Sequence, residues 1–183
     1  GVPTDPETQI LSYENNFTVS DNCSPVNWSN DYTGLTGGMC AGTGTATVNY
    51  TASDGCNSAN VTINFTVEDS NSPNITTGAQ DEEVDCDGNG NITDLNNWLA
   101  ADGNAIAMDG CSPSGLVQSV AVLSDMTTDD PIIALANAVA TGCTANLVAV
   151  ITVQFTFTDD CGNMSTTDAD FSIVDNDDPT ITT

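Results

Sequence analysis

Lysine, arginine and histidine are absent from this chain of 183 residues, which carries 26 Asp and Glu and a formal net charge of −26. Without a basic side chain, the protein has neither a histidine general base nor a lysine nucleophile. It also lacks the groups that neutralise phosphate, which excludes nucleic acid and anionic lipid as partners. Its carboxylates must therefore lie in water, accept hydrogen bonds or bind cations from solution.

Long apolar runs are also missing, so the sequence predicts no membrane span. Apolar residues instead alternate with polar ones, for example over 45–52 and 61–67. This period of two is typical of a half-buried strand. Seven Cys in a chain rich in Thr, Asn, Gly and Asp indicate an oxidising, extracellular setting.

The sequence contains an internal duplication. Residues 40–77 and 143–183 share one order: a Cys, a strand, an Asp-x-Cys turn, a second strand, and an acidic segment that ends in Pro-x-Ile-Thr-Thr. Upstream, Asp21–Pro25 matches Asp109–Pro113, since both contain Asp-x-Cys-Ser-Pro. The duplication predicts two units of similar plan.

The units are predicted to span 1–77 and 78–183. Gly1–Asp5 matches Gly90–Asp94, so the counterpart of Cys86 in the first unit would precede Gly1. We therefore expect the chain to begin partway through one repeat, and to end where another repeat begins.

Each unit is predicted to be a small antiparallel Ig-like β-sandwich, which makes the chain all-β. A short helix in the second unit is expected to open at Thr93, with Leu95, Trp98 and Leu99 on its buried face. An insertion near 126–142 predicts another helix, after Pro131. The residues expected to face inward are Val48, Tyr50, Val61, Ile63, Phe65 and Val67 in the first unit, and Ile151, Val153, Phe155, Phe157, Phe171 and Ile173 in the second.

Strand direction constrains the disulfides. Cys143 and Cys161 flank one long strand and should not pair, because a disulfide needs Cα atoms within about 7 Å. Alternating strands predict the three pairs Cys86–Cys143, Cys111–Cys161 and Cys23–Cys56. Cys40 is then unpaired or bonded to another unit. The wide Cys spacing and the absence of His disfavour zinc.

Several segments resemble the repeats of giant cell-surface adhesins from Bacteroidota, of the gliding-motility type exported by the type IX system. They are Val84–Leu99, Ala107–Cys111, Asp159–Asn163, and Phe171–Asp175 with Pro179. The resemblance covers the second unit and about two thirds of the first. It implies tandem Ig-like (HYR-like) repeats in a cell-surface, non-enzymatic stalk or filament.

Asp85, Asp87, Asn89, Gly90 and Ile92 follow the opening of an EF-hand loop, in which oxygen ligands two residues apart converge on calcium. The twelfth position holds an Asn instead of the usual Glu, and Asp94 or Glu83 is the candidate replacement ligand. The alternative is a solvated turn before a helix.

Two further acidic groups lie in the segments that end each unit. The first contains Asp69 and Asn71; the second contains Asp175, Asp177 and Asp178 and resembles the calcium-binding linkers of cadherins. Closely spaced acids repel unless a cation bridges them. Calcium is thus the predicted cofactor, and the alternative is an extended acidic hinge.

The sequence favours a structural repeat of an extracellular bacterial fibre or adhesin stalk, joined end to end to copies of itself or to neighbouring repeats. The alternative is a carbohydrate-binding or recognition module that uses an aromatic platform of Trp28, Tyr32 or Trp98. An enzyme is not expected, because the acids gather at unit ends and not as a pair across a cleft. Surface glycans are expected partners or modifications, with Asn49, Asn60 and Asn64 as the outward candidate sites.

Overall fold

A computed structural model of the chain describes residues 12–13, 17–23, 25–40, 42–111, 115–139 and 146–181. The chain forms two compact units. The first comprises Gly1–Asn71 with Gly110–Gly115, and the second Ser72–Asp109 with Leu116–Thr183. The boundary after Asn71 precedes the predicted one at residue 77, because the strand that follows pairs within the second unit.

The sheet of the first unit contains β1 (Asn27–Asn30), β2 (Thr36–Gly37), β3 (Gly44–Ser53) and β4 (Ser58–Val67). β3 is its centre, and all of its pairings are antiparallel. β1 and β2 pair with β3, and β4 follows β3 through a hairpin. Alternation of Thr and Asn with apolar residues therefore produces the predicted two-faced strands.

Val48 and Tyr50 form the centre of the first core, with Ala46, and the rings of Tyr13 and Phe17 pack against them. Val67 is also buried, as predicted, whereas Ile63 and Phe65 are only half-buried. Val61 lies opposite the buried Tyr50, on the predicted face, but it remains 38% exposed. The physical reason is that β4 pairs only with β3 among the described residues, which leaves β4 at an edge of the sheet.

The second unit has two sheets. The larger one contains β6 (Glu82–Asp85), β8 (Val117–Val122), β9 (Leu147–Thr158) and β10 (Met164–Val174), in the order β6-β10-β9-β8. The smaller one pairs β5 (Asn74–Thr77) with β7 (Ile106–Met108), antiparallel. One pairing departs from the antiparallel expectation, since β6 runs parallel to β10.

All six inward residues predicted for the second unit are buried. They join one core with Leu95 and Trp98, and Ile75 of β5 and Ala107 of β7 pack against it from the smaller sheet. The unit is thus a sandwich of two β layers, and the all-β prediction is confirmed. No helix within the described ranges is long and apolar enough to cross a membrane.

Two α-helices accompany the second unit. α1 (Ile92–Ala100) begins after Asn91, so the predicted start at Thr93 is wrong. Leu95 and Trp98 nevertheless form its buried face, as expected. α2 (Pro131–Val139) confirms the helix predicted in the insertion, and Oδ1 of Asp130 accepts the N–H of Ile132 at its first turn.

The cysteines differ from the predicted pairing. Cys40 and Cys161 are each disulfide-bonded, so Cys40 is not unpaired. Cys23, Cys56 and Cys86 carry free thiols, and Cys111 carries a thiol. The pairs Cys23–Cys56 and Cys111–Cys161 are therefore wrong. Cys86–Cys143 also fails at Cys86, while Cys143 lies outside the described residues. Strand direction determines at which end of a unit each Cys lies. It does not determine which other Cys comes close enough to form a disulfide with it.

Candidate functional site

The parallel pairing of β6 with β10 brings two acidic segments to one edge of the second unit. Asp85 is the register partner of Val174, so both strands end at the same place. The N–H of Cys86 donates to the carbonyl of Val174 at 2.8 Å, and the N–H of Asn176 donates to Oδ1 of Asp85 at 3.2 Å. The loop after β6 and the segment after β10 are thus directly bonded.

We call Asp85, Asp87, Asn91, Asp94 and Asp175–Asp178 the strand-end cluster. From the sequence, its two halves are predicted as separate candidate sites, because they lie about ninety residues apart in the chain. A parallel pair brings the carboxyl ends of two distant strands together. The two halves therefore lie at one edge of the unit, although no three of their carboxylates come within 4.8 Å of one another.

Asp87 shapes the loop that follows β6. Its Oδ1 accepts the N–H of Asn89 at 2.7 Å and the N–H of Asn91 at 3.0 Å. These hydrogen bonds, that of Asn89 first, hold the pKa of the Asp87 carboxyl below its ordinary value. The Asn89 side chain folds back on the loop, where its Nδ2 donates to the carbonyl of Asp87 at 3.2 Å.

Asn91 fills the middle of this loop. The residue is 1% exposed and adopts a left-handed backbone with φ 53°, which Asn tolerates better than most residues. Its Oδ1 accepts the N–H of Asp87 at 3.2 Å. Its Nδ2 donates to the carbonyl of Asp85 at 2.8 Å and to Oδ2 of Asp94 at 3.1 Å. Asn91 was not among the predicted site residues, although Asn is favoured at the position directly before a helix.

The loop thus differs from the EF-hand pattern on which it was predicted. In that pattern, side-chain oxygens converge on a cation. Here the amide of Asn91 already donates to two of the oxygens that a cation would attract. Asp87 and Asp94 each use one carboxylate oxygen in these contacts, and each has a second oxygen with which to meet a cation.

The segment after β10 supplies the other half of the cluster. The N–H of Asp175 donates to the carbonyl of Asn146 at 2.8 Å, and the N–H of Asp177 donates to Oδ1 of Asp175 at 3.1 Å. Asp175, Asp177 and Asp178 are exposed. The backbone is therefore fixed at its start while its carboxylates face water.

The candidate site in the first unit is smaller. Oδ1 of Asp69 accepts the N–H of Asn71 at 3.0 Å, which closes a local turn. The sulfur of Cys111, in the same unit, lies within 4.8 Å of an Asp69 carboxylate oxygen. Sequence reasoning did not place Cys111 beside this acid, because the two are more than forty residues apart.

The repeated Asp-x-Cys motif forms a hairpin turn in both units. Asp54 accepts the N–H groups of Cys56 and Asn57, at 2.8 and 2.6 Å. Asp159 accepts those of Cys161 and Asn163, at 2.9 and 2.8 Å. Each Asp N–H in turn donates to the carbonyl of the Asn that closes its turn. These acids are structural, and their side chains replace the hydrogen bonds that the backbone lacks at the turn.

Hydrogen bonding lowers the pKa of both turn carboxyls. For Asp54 the N–H groups of Asn57 and Cys56 are the main cause. Burial alone would raise the pKa of Asp159, but its hydrogen bonds from Asn163 and Cys161 together outweigh burial and leave that pKa below its ordinary value.

The three candidate platform aromatics are used in packing. Trp98 is 4% exposed, and its Nε1 donates to the carbonyl of Gln80 at 3.0 Å. Its ring packs edge-on against that of Phe155, with 5.2 Å between the ring centroids. Tyr32 packs against the first core. Trp28 is 39% exposed, but its ring lies against Phe17 at 5.6 Å. Each ring therefore packs within its own unit.

The outward sheet face of the first unit is a ladder of Asn and Thr. Asn49, Asn60 and Asn64 are all exposed, in agreement with their predicted direction. Asn49 is also bonded, since its Nδ2 donates to Oδ2 of Asp31 at 2.8 Å and its Oδ1 accepts the Thr62 hydroxyl at 2.7 Å. Asn64 accepts the Thr47 hydroxyl at 2.8 Å.

Comparison with known proteins yields only distant structural likeness. No protein-family model matches the chain, and neither does any curated protein. The crystal structure of Drosophila N-cadherin EC1-4 matches with 13% identity and a TM-score of 0.32, over 82% of this chain and 41% of that one. Human protocadherin-24 EC1-2 matches with 13% identity and a TM-score of 0.31, over 86% of each chain. This chain spans about two fifths of the N-cadherin chain, and scores this low do not establish a shared fold.

Proposed function

We propose that this chain is a structural repeat of an extracellular bacterial fibre or adhesin stalk, joined end to end with copies of itself or with neighbouring repeats. The observation that carries the proposal is the strand-end cluster. It gathers exposed carboxylates where the chain leaves the second unit, and a joint between repeats would form at such a place. The chain acts mechanically in this proposal, not as an enzyme.

The repeated plan supports a building module. Each unit has a long hairpin closed by an Asp–Asn turn, β3–β4 in the first and β9–β10 in the second. The disulfide-bonded state of Cys40 and Cys161 is typical of oxidising, extracellular environments. The resemblance to gliding-motility adhesins supports a bacterial cell surface and export by the type IX system.

Calcium is the proposed cofactor of the strand-end cluster, with Asp85, Asp87, Asp94, Asp175, Asp177 and Asp178 as candidate ligands. Two unit charges 4 Å apart repel by about 1 kcal/mol in water and by about 4 kcal/mol near a protein surface. The chain has no basic side chain to offset this repulsion. A hard divalent cation with oxygen ligands offsets it and stiffens the joint. The corresponding ligands in the first unit are Asp69 and Asn71, and surface glycans would occupy the Asn49, Asn60 and Asn64 face.

The test is to measure the melting temperature and the length of assembled particles in calcium and in EGTA. We expect EGTA to lower the melting temperature and to make the particles shorter or more flexible. Asp177→Asn should reduce the calcium response, while the control Asp129→Asn, an exposed acid away from the cluster, should keep it. Equal values with and without EGTA would remove calcium from the proposal, and a chain that stays monomeric at every concentration would overturn end-to-end assembly.

A further inference from the structure

A groove of about 390 Å³ opens in the first unit. One wall is the segment Thr18–Asp21. The opposite wall comes from the β3–β4 hairpin, with Ala52–Asp54 and Asn57–Ala59, and Val26 completes the lining. The described lining residues are uncharged apart from Asp21 and Asp54, and their hydroxyls and small side chains leave room for another backbone.

In the second unit, the equivalent place is occupied by a strand of the chain itself. The duplication makes Thr18–Asp21 the counterpart of Ile106–Asp109, which contains β7. It makes Asn57–Ala59 the counterpart of Asn163–Ser165, since both begin at the Asn that closes the hairpin turn. The two walls of the groove therefore correspond to β7 and to the start of β10.

Pro73 and β5 fill the space between these two elements in the second unit. β5 pairs antiparallel with β7, with Asn74 opposite Met108 and Ile75 opposite Ala107. The Ser165 hydroxyl donates to the carbonyl of Pro73 at 2.6 Å, and Ile75 packs against the core. The second unit thus shows what the groove of the first unit is shaped to hold: a Pro-x-Ile-Thr-Thr strand.

The same five-residue pattern occurs once more, at 179–183, and no other Pro-x-Ile-Thr-Thr is present in the sequence. Within the described part of this segment, residues 179–181 belong to no strand, and the Ile181 side chain is 92% exposed. Among the described residues of the first unit, no strand pairs with Thr18–Ser20. Within the described ranges, an exposed Pro-x-Ile segment and a groove that holds no strand are therefore present together.

We propose that residues 179–181 of one copy of this chain add as a strand to the groove of the next copy. This inference rests on the proposed end-to-end assembly and names the segments that join. By the β5–β7 register, Thr180 lies opposite Ser20 and Ile181 opposite Val19. Backbone hydrogen bonds supply affinity in strand addition, and the pocket for the alternate side chain, here Ile181, supplies register.

The charges at this junction predict how assembly depends on salt and divalent cations. Asp177 and Asp178 precede the added strand, while Asp21 and Asp54 line the groove. Like charges disfavour association, and salt or a divalent cation weakens the repulsion. Assembly through this groove should therefore be stronger in calcium or at higher ionic strength.

The test is disulfide cross-linking of full chains mixed from isotopically light and heavy preparations. The in-register variant is Val19→Cys with Ile181→Cys, and the control is Val19→Cys with Thr180→Cys, because a one-residue slip turns a side chain to the other face. Mass spectrometry of the linked peptides separates the new bond from the native cysteines. We expect light–heavy linked peptides at least about tenfold more abundant for the in-register pair.

A synthetic peptide of residues 175–183 provides a second arm that does not require assembly. Added in excess, it should shift the NMR signals of Thr18–Asp21 and Asn57–Ala59 and should shorten any assembled particles. The same peptide with Ile181→Asp is the control and should do neither.

The outcomes separate this inference from the proposed function. Particles that form while the in-register pair fails to link, and while the peptide shifts no groove signal, overturn strand addition and leave end-to-end assembly standing. A chain that stays monomeric but binds the peptide in the groove overturns the proposed assembly and supports the groove as a strand-binding site. Linked peptides that are only light–light or heavy–heavy show that the strand comes from the same chain, which overturns exchange between copies.

Discussion

The side-chain amide of Asn91 donates to Oδ2 of Asp94 at 3.1 Å, so that a neutral group pairs with an acid inside a loop predicted to hold a cation. The same Nδ2 reaches the carbonyl of Asp85 at 2.8 Å. Asn91 therefore joins the end of β6 to the first turn of α1 without any metal. The loop is thus already ordered, and the proposed calcium would have its main effect on the exposed acids after β10.

Substitution of Asn91 should be strongly destabilising. Asn91→Ala removes three side-chain hydrogen bonds from a buried position and places Ala at positive φ, which we expect to cost about 2–4 kcal/mol of unfolding free energy. Asn91→Gly removes the same bonds without the backbone strain and should lose less. Urea unfolding of both variants measures the difference, and an unchanged midpoint for Asn91→Ala would contradict a structural role for this amide.

The turn acid Asp159 should make stability depend on pH. Its folded pKa is lowered, so its stabilisation is fully present above the unfolded pKa of about 3.9 and is lost as the pH falls through the folded value. Asp159→Asn should thus destabilise the protein at neutral pH, and the gap to the natural chain should narrow in acid. Denaturant midpoints from about pH 6 to about pH 2 provide the measurement. Met164→Leu, which does not titrate, should show a constant difference, and a gap for Asp159→Asn that widens in acid would contradict the sign.

For Asp102, the expected dependence of stability on pH has the opposite sign. Burial raises the pKa of its carboxyl, so ionisation of this group costs stability as the pH rises above the unfolded value. Its φ is 53°, a conformation that Asn also tolerates. Asp102→Asn should therefore raise the melting temperature at neutral pH. Asp102→Ala removes the same charge but strains the backbone, and it should be less stable than Asp102→Asn. A melting temperature for Asp102→Asn at or below that of the natural chain would refute this prediction.

Substitution of a disulfide-bonded cysteine and of a free cysteine should affect the stability of the protein differently. Cys161→Ser breaks a disulfide and should cost about 2–4 kcal/mol. Cys56→Ser changes an exposed thiol in the equivalent turn of the first unit and should change stability by no more than about 0.5 kcal/mol. A reducing agent should lower the melting temperature of the natural chain and of Cys56→Ser, and should have little effect on Cys161→Ser. Equal responses of the two variants would contradict this assignment.

Periodicity predicted the cores well where a strand has neighbours. Phe155, Phe171 and Ile173 are buried as expected because their strands lie inside a sheet. Val61 has the same alternation but lies on the edge strand β4 and stays exposed. Alternation fixes the face of a strand on which a side chain lies, whereas its burial depends on what covers that face.

The candidate site was predicted in parts. The sequence identified Asp85, Asp87 and Asp175 as candidate calcium ligands, but it placed them in two separate sites. Asn91 was missed because its role depends on the loop closing around it. The predicted cysteine pairs were wrong for a related reason, since the partner of each thiol depends on which other thiol the folded chain places beside it.

The sequence by itself determined the charge, the duplication, the alternating strands and the Asp-x-Cys turns, because each depends on residue type or on neighbours close in the chain. Only the tertiary structure decided that β6 runs parallel to β10, that the two acidic segments meet there, and that the strand position filled by β5 in the second unit is an open groove in the first. These features depend on which distant segments pair, and pairing is set by the whole packed unit.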